Sequence, residues 1–121
     1  VLTLVQNGNG VNVSGTFTIP KHSSILGFIV DRRVAFDSVT SAGLTIGIAA
    51  LGTEYASSID AKAAAGRTQA PVSPTAAQML AAEDTGTNIS VVCTIAVVGN
   101  TTAGTVTITM QYVQTVNFEN N

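Results

Sequence analysis

The sequence predicts an all-β chain: a single-domain antiparallel β-sandwich, jelly-roll-like, with a short Ala-rich helical excursion in the middle. Three observations carry that expectation. Residues 88–114, NISVVCTIAVVGNTTAGTVTITMQYVQ, alternate with the two-residue period of strands on either side of a Gly-bearing turn. Further runs at 11–19, 25–30 and 44–48 are strand-like and are bounded by Gly, Asn, Ser and Pro. The composition is 45% hydrophobic yet only 10% charged and 5% aromatic, with Thr, Ser, Asn, Gly and Ala replacing the missing charge. At 121 residues the chain reads as one domain, 1–121, able to bury a single core.

Taken in order, residues 1–5 form a short apolar run suited to an edge strand. Gln6-Asn7-Gly8-Asn9-Gly10 is an explicit turn. Val11, Val13, Gly15, Phe17 and Ile19 then alternate with Asn12, Ser14, Thr16 and Thr18, a half-buried strand ended by Pro20. The expectation is a hairpin of these two strands around NGNG. After a polar link at 21–24, an apolar strand covers 25–30 and can continue to Phe36. So extended, it puts Asp31 and Arg33 on one face, as a surface ion pair, and Arg32 on the other.

A loop at 37–43 leads to a strand on Leu44, Ile46 and Ile48, in which Gly47 marks a bulge or a close backbone approach. Residues 52–66 are Ala-rich, and one or two helical turns are expected near 57–65, stopped by Gly66. Thr53 is an incomplete cap for them, because Ala56 stands where a capping box needs Glu or Gln. Residues 68–74 read as an extended linker and 74–82 as another helical turn, with an extended strand as its rival. Glu83 to Thr87 is a turn.

In the first arm of 88–114, Ile89, Val91, Cys93, Ile95 and Val97 share a face, while Val92, Ala96 and Val98 leave the other largely apolar. That arm is expected to be buried on both sides. The second arm sets Val106, Ile108, Met110 and Tyr112 against Thr105, Thr107, Thr109 and Gln111. Gly99, Asn100 and Gly104 tolerate positive φ and are expected to close the arms into a hairpin. The tail, 115–121, is polar apart from Val116 and Phe118. The total is six to eight strands and no long repeat.

Candidate chemistry is sparse, and no catalytic, metal-binding or cofactor-binding residue is assigned. His22, the one histidine, lies in a polar link and reads as a solvated loop residue. The adjacent carboxylates Glu83 and Asp84 sit in a turn without the ligand spacing of a calcium loop. Cys93 stands alone, which rules out an internal disulfide, and its apolar surroundings point to a buried, inert thiol. Three N-x-S/T triplets, at Asn12, Asn88 and Asn100, match a glycosylation pattern that a chain this rich in Asn, Ser and Thr produces by coincidence. A net charge of −2 and five scattered cations leave no basic footprint for nucleic acid. No stretch is apolar over a membrane-spanning length, and Val1 opens no secretory signal. The absent initiator Met fits either its removal or processing from something longer.

Two blocks carry a resemblance: FIVDRRVAFDSVTSAGLTIGIAALGTEYASSIDAKAAAG at 28–66 and DTGTNISVVCTIAVVGNTTAGTVTITMQYV at 84–113. Together they resemble small virion structural proteins of tailed bacteriophages. The resemblance implies a β-sandwich that decorates or cements a capsid, without enzymatic activity or cofactor, often as a trimer on the major capsid protein. It places the chain on the capsid surface of a virion, after synthesis in the bacterial host cytoplasm. The alternatives are a tail or head-fibre component engaged in host attachment, and a small β-sandwich lectin or hydrolase. Self-association is expected from the residues themselves, through the doubly apolar arm and the low surface charge. The preference for a trimer comes from the resemblance alone.

Overall fold

The computed structural model describes residues 1–8, 10–70, 79–82 and 86–114. These contain strands β1 (Leu2–Val5), β2 (Val13–Ile19), β3 (Ser23–Val34), β4 (Ser41–Gly47), β5 (Ala56–Asp60), β6 (Gly66–Ala70), β7 (Ile89–Val98) and β8 (Thr105–Gln114). They form two four-stranded antiparallel sheets, ordered β1-β8-β3-β6 and β2-β7-β4-β5. The first strand pairs with the last, β2 with β7, β3 with β6 and β4 with β5, so the chain doubles back on itself about residues 48–55. Pairing of β3 with β8 and of β4 with β7 then joins these couples into sheets.

Period-2 alternation decides what each strand buries. Val91, Cys93, Ile95 and Val97 of β7 meet Leu44 and Ile46 of β4 in the core, together with Val106 and Ile108 of β8 and Phe28 and Val30 of β3. Leu4 of β1 and Ile19 of β2 join them, and Phe17 packs against the same cluster. The Phe28 and Tyr55 rings lie 5.9 Å apart at a 58° tilt, an aromatic contact between the two halves of the doubled chain. The half-buried pattern expected for β2 is present, as is the edge position of β1.

Two expected hairpins do not form. β1 and β2 flank NGNG but lie in different sheets, and so do β7 and β8. Gly8, Gly10, Gly99 and Gly104 do take positive φ, and the turns they make carry the chain from one sheet to the other. Had each pair stayed in one sheet, both apolar faces would point the same way and need a third element to cover them. In separate sheets the faces meet: an ideal Cβ on Gly15 would lie 2.7 Å from Cδ1 of Leu2.

The helix expected near 57–65 is also replaced by strands. Ala56 to Asp60 is β5, a turn follows, and Gly66 to Ala70 is β6. Ala56 and Ile59 are buried there, and Ala61 just beyond the strand is buried too. The helical preference of Ala over an average residue is worth only a few tenths of a kcal/mol. Pairing with β4 and β3 supplies both a backbone ladder and burial, and Thr53 caps nothing. Asp60 shapes the turn instead, its carboxylate accepting the Lys62 N–H at 2.8 Å. β3 runs further than its apolar core, through Val34, with register shifts between Ile25 and Gly27 and between Arg32 and Val34. Phe36 lies beyond the strand yet is buried. The second helical turn expected at 74–82 falls mostly outside the described residues, as do Glu83, Asp84 and the tail from 115.

Candidate functional site

The outward face of β4 carries Ser41, Gly43 and Thr45, opposite Val98, Ala96 and Thr94 of β7, with Asp60 of β5 beside Gly43. Gly43 leaves a gap, since a Cβ there would meet nothing within 4 Å. The result is a groove of about 350 Å³, lined by Ser41, Gly43, Thr45, Asp60, Ala96 and Val98. At one end Val98 is 51% exposed, and Val39, 72% exposed, closes on Gly99 beside it. Lys62 reaches the same corner, its Nζ 3.4 Å from the Thr40 carbonyl and 3.5 Å from that of Val39.

The other end is closed by the segment between β4 and β5. Leu51 donates its N–H to Oγ1 of Thr94 at 3.3 Å, and the Glu54 carboxylate accepts the Ile48 N–H at 2.9 Å. Gly47 is the close approach read from the sequence: a Cβ on it would sit 2.5 Å from the Gly52 carbonyl carbon. The second face of β7 is therefore divided. Thr94 is buried under the 48–54 segment, while Val92 and Ala96 are half-buried and Val98 is open.

Next to the groove, Asp37 ties two loops together. Its carboxylate accepts the N–H groups of Thr102 at 2.8 Å and Ala103 at 3.1 Å, as well as the Thr102 hydroxyl. Its own N–H donates to the Ala103 carbonyl at 3.2 Å. The Thr102 hydroxyl, followed by the backbone donors, holds the Asp37 carboxyl below the usual carboxylate range. The Ser38 hydroxyl lies within reach of the Ser41 and Val98 carbonyls. These contacts make a firm rim at the open end of the groove.

The residues weighed from sequence do not converge. His22 is exposed with φ of 62°, and its backbone N–H donates to the Ala82 carbonyl at 3.2 Å. Cys93 is fully buried in β7, and that burial pushes its thiol up to about 12. Asp31 pairs with Arg67 of β6, at 2.7 and 3.1 Å, and not with Arg33. Arg33 donates instead to Oγ1 of Thr107 at 2.8 Å, while Arg32, on the opposite face, reaches the Ala64 carbonyl and Thr68. Among the described residues no three His, Cys, Asp or Glu side chains gather as a metal cage. Sequence reading missed Gly43, whose role is an empty space, and Asp37, whose partners lie 65 positions away. Only the Gly in an apolar alternation was a signal for the first.

The groove thus has Ala96 and Val98 as apolar lining, the hydroxyls of Ser41 and Thr45, and the carboxylate of Asp60. Comparisons with protein-family models, with curated proteins and with solved structures find no match.

Proposed function

We propose that this chain is a structural virion protein that decorates or cements a bacteriophage capsid through protein–protein contacts, as a jelly-roll β-sandwich. The observation that carries the reading is the open apolar corner formed by Val39, Val98 and Ala96 over the Gly43 gap. Exposed valines in a cluster, on a surface with few charges, favour association over solvation. The strand pairing supports the jelly roll, since a hairpin doubled as 1–8, 2–7, 3–6 and 4–5 and divided between two sheets is how that fold is wound. The resemblance of segments 28–66 and 84–113 to phage virion proteins supplies the particle. The partners are then the major capsid protein and further copies of the chain, with a trimer expected, and the location is the capsid surface.

The test is direct. Recombinant chain added to purified, expanded phage capsids should occupy saturable, stoichiometric sites and raise their resistance to heat. Val98→Lys should abolish that binding, since it places a charge in the apolar corner. Binding to tails or to bacterial cells, with none to heads, would transfer the protein to host attachment.

A further inference from the structure

Among the described residues each sheet ends in two edge strands paired on one side only, and three of these four edges are poor templates for pairing. β1 has four residues, β5 is short and its register against β4 is broken, and β6 is short and carries Arg67. β2 differs. Its seven residues, VSGTFTI, include no charge and no Pro, and its register against β7 is unbroken. Short strands, charges and bulges are how sheet edges avoid pairing with other chains. β2 has none of these devices.

The direction of its free backbone groups follows from two bonds. Val97 donates its N–H to Oδ1 of Asn12 at 3.0 Å, toward β2, and the Val98 carbonyl accepts from the Thr40 N–H at 3.2 Å, toward β4. In an antiparallel strand the N–H and C=O of one residue point to the same side, and successive residues alternate. Val97, Ile95, Cys93, Val91 and Ile89 therefore face β2. Their partners Val13, Gly15, Phe17 and Ile19 bond inward to β7. The N–H and C=O of Ser14, Thr16 and Thr18 point off the free edge, and the side chains of all three are exposed.

We propose that β2 is a self-pairing edge, binding antiparallel to β2 of a second copy about a two-fold axis at Thr16. Two four-stranded sheets would become one of eight. With Thr16 opposite Thr16 of the second copy, Ser14 falls opposite Thr18, and the three outward residues exchange about six backbone hydrogen bonds. The side chains match in the same register. Thr meets Thr and Ser meets Thr on the outer face, while Val13 meets Ile19 on the inner one, all favourable cross-strand pairs. Gly15, already covered by Leu2 of its own chain, falls opposite Phe17, so that pair opposes no two large side chains. No like charges are opposed, because Lys21, the nearest cation, would stand across from Val11. This complementarity is to the strand's own sequence, which selects a second copy as the occupant.

The pairing needs no capsid, so it stands or falls separately from the function proposed above. A two-fold contact, once broken, halves the mass of the assembly, whether that assembly is a dimer or a pair of trimers. Sedimentation of the full chain at micromolar concentration should give twice the mass of Thr16→Lys and of Thr16→Glu, whose circular dichroism should match the native spectrum. An equimolar mixture of the two variants should restore the native mass, because only residue 16 facing residue 16 turns two repulsions into an attraction. In the unmodified chain, the Ser14, Thr16 and Thr18 amides should exchange about tenfold more slowly on going from dilute to concentrated protein, with Val13, Gly15 and Phe17 unchanged. A native mass equal to that of Thr16→Lys, a mixture that does not reassociate, or exchange at the three amides that is independent of concentration would each overturn the proposal.

Discussion

The Asp37 carboxylate holds the β7–β8 connection to the β3–β4 connection through Thr102 and Ala103, and it does so ionised. Its folded pKa is depressed, so its contribution to stability is complete above the unfolded value of about 4. That contribution is lost as pH falls through the lower folded value. Asp37→Asn should therefore lower the melting temperature at pH 7, and the gap between variant and native should close toward pH 2. A gap that is constant with pH would mean that the carboxylate's charge is not what matters. Asp31, depressed chiefly by its hydrogen bond from Arg67, contributes in the same direction and should leave the variant some acid sensitivity. Cys93 makes the opposite case. With its thiol buried and pushed up to about 12, a thiol reagent at pH 8 should label it only as fast as the domain opens, and denaturant should accelerate labelling. Its inertness was legible from the apolar alternation around it, whereas the Asp37 clamp was not, because nothing local marks a partner in a distant loop.

At the scale of the strand, β7 separates two kinds of apolar residue. Ile95 is fully buried between the sheets, and Ile95→Ala should cost about 2–5 kcal/mol in denaturant melts. Val98, on the same strand but at its open end, should tolerate Lys to within about 0.5 kcal/mol in the isolated domain. If Val98→Lys instead unfolds the chain, that face belongs to the core and not to an interface. Gly47 offers a third test of strand environment. Because a Cβ would collide with the Gly52 backbone, Gly47→Ala should destabilise by about 1–3 kcal/mol. The inner and outer faces of β7 were readable from period 2, as was the tight spot at Gly47. What covers the outer face was not readable, since the 48–54 segment reaches Thr94 only after β4 has paired with β7.

Across the whole molecule, the pairing of β1 with β8 is the longest-range strand contact among the described residues. Leu2 registers with Ile108 and Val5 with Thr105, contacts that close almost the entire chain into a loop. Loop closure on that scale precedes any reward from the contact, so stopped-flow refolding should fall in the millisecond-to-second range of all-β domains. Microsecond refolding would contradict the long-range pairing. The same winding leaves β1 and β2 as neighbouring edges of the two sheets and gathers the β1–β2, β3–β4 and β7–β8 turns at one end, where Gly10 donates its N–H to the Gly99 carbonyl at 2.9 Å. The end that carries Asp37, Val39 and Val98 is thus a composite of segments far apart in the chain.

By itself the sequence determined where most strands run, which side chains of β2 and β7 face inward, and that Gly-rich turns separate them. In β8 it put Tyr112 inward and Thr107 outward, whereas Tyr112 is exposed and Thr107 buried. Val91, Cys93, Ile95, Val106 and Ile108 were assigned to the core by alternation alone, and all are there. Partner choice was decided by the tertiary structure. An alternating strand specifies a buried face but not the neighbour at its edge, because backbone hydrogen bonds are the same for every sequence. β1 and β2, and β7 and β8, read as hairpins from their turns and became cross-sheet neighbours because two apolar faces are best buried against each other. The Ala-rich segment became β5 and β6 for a related reason: a few tenths of a kcal/mol of local helical preference cannot outweigh a ladder and a core that exist only once the rest of the chain has folded.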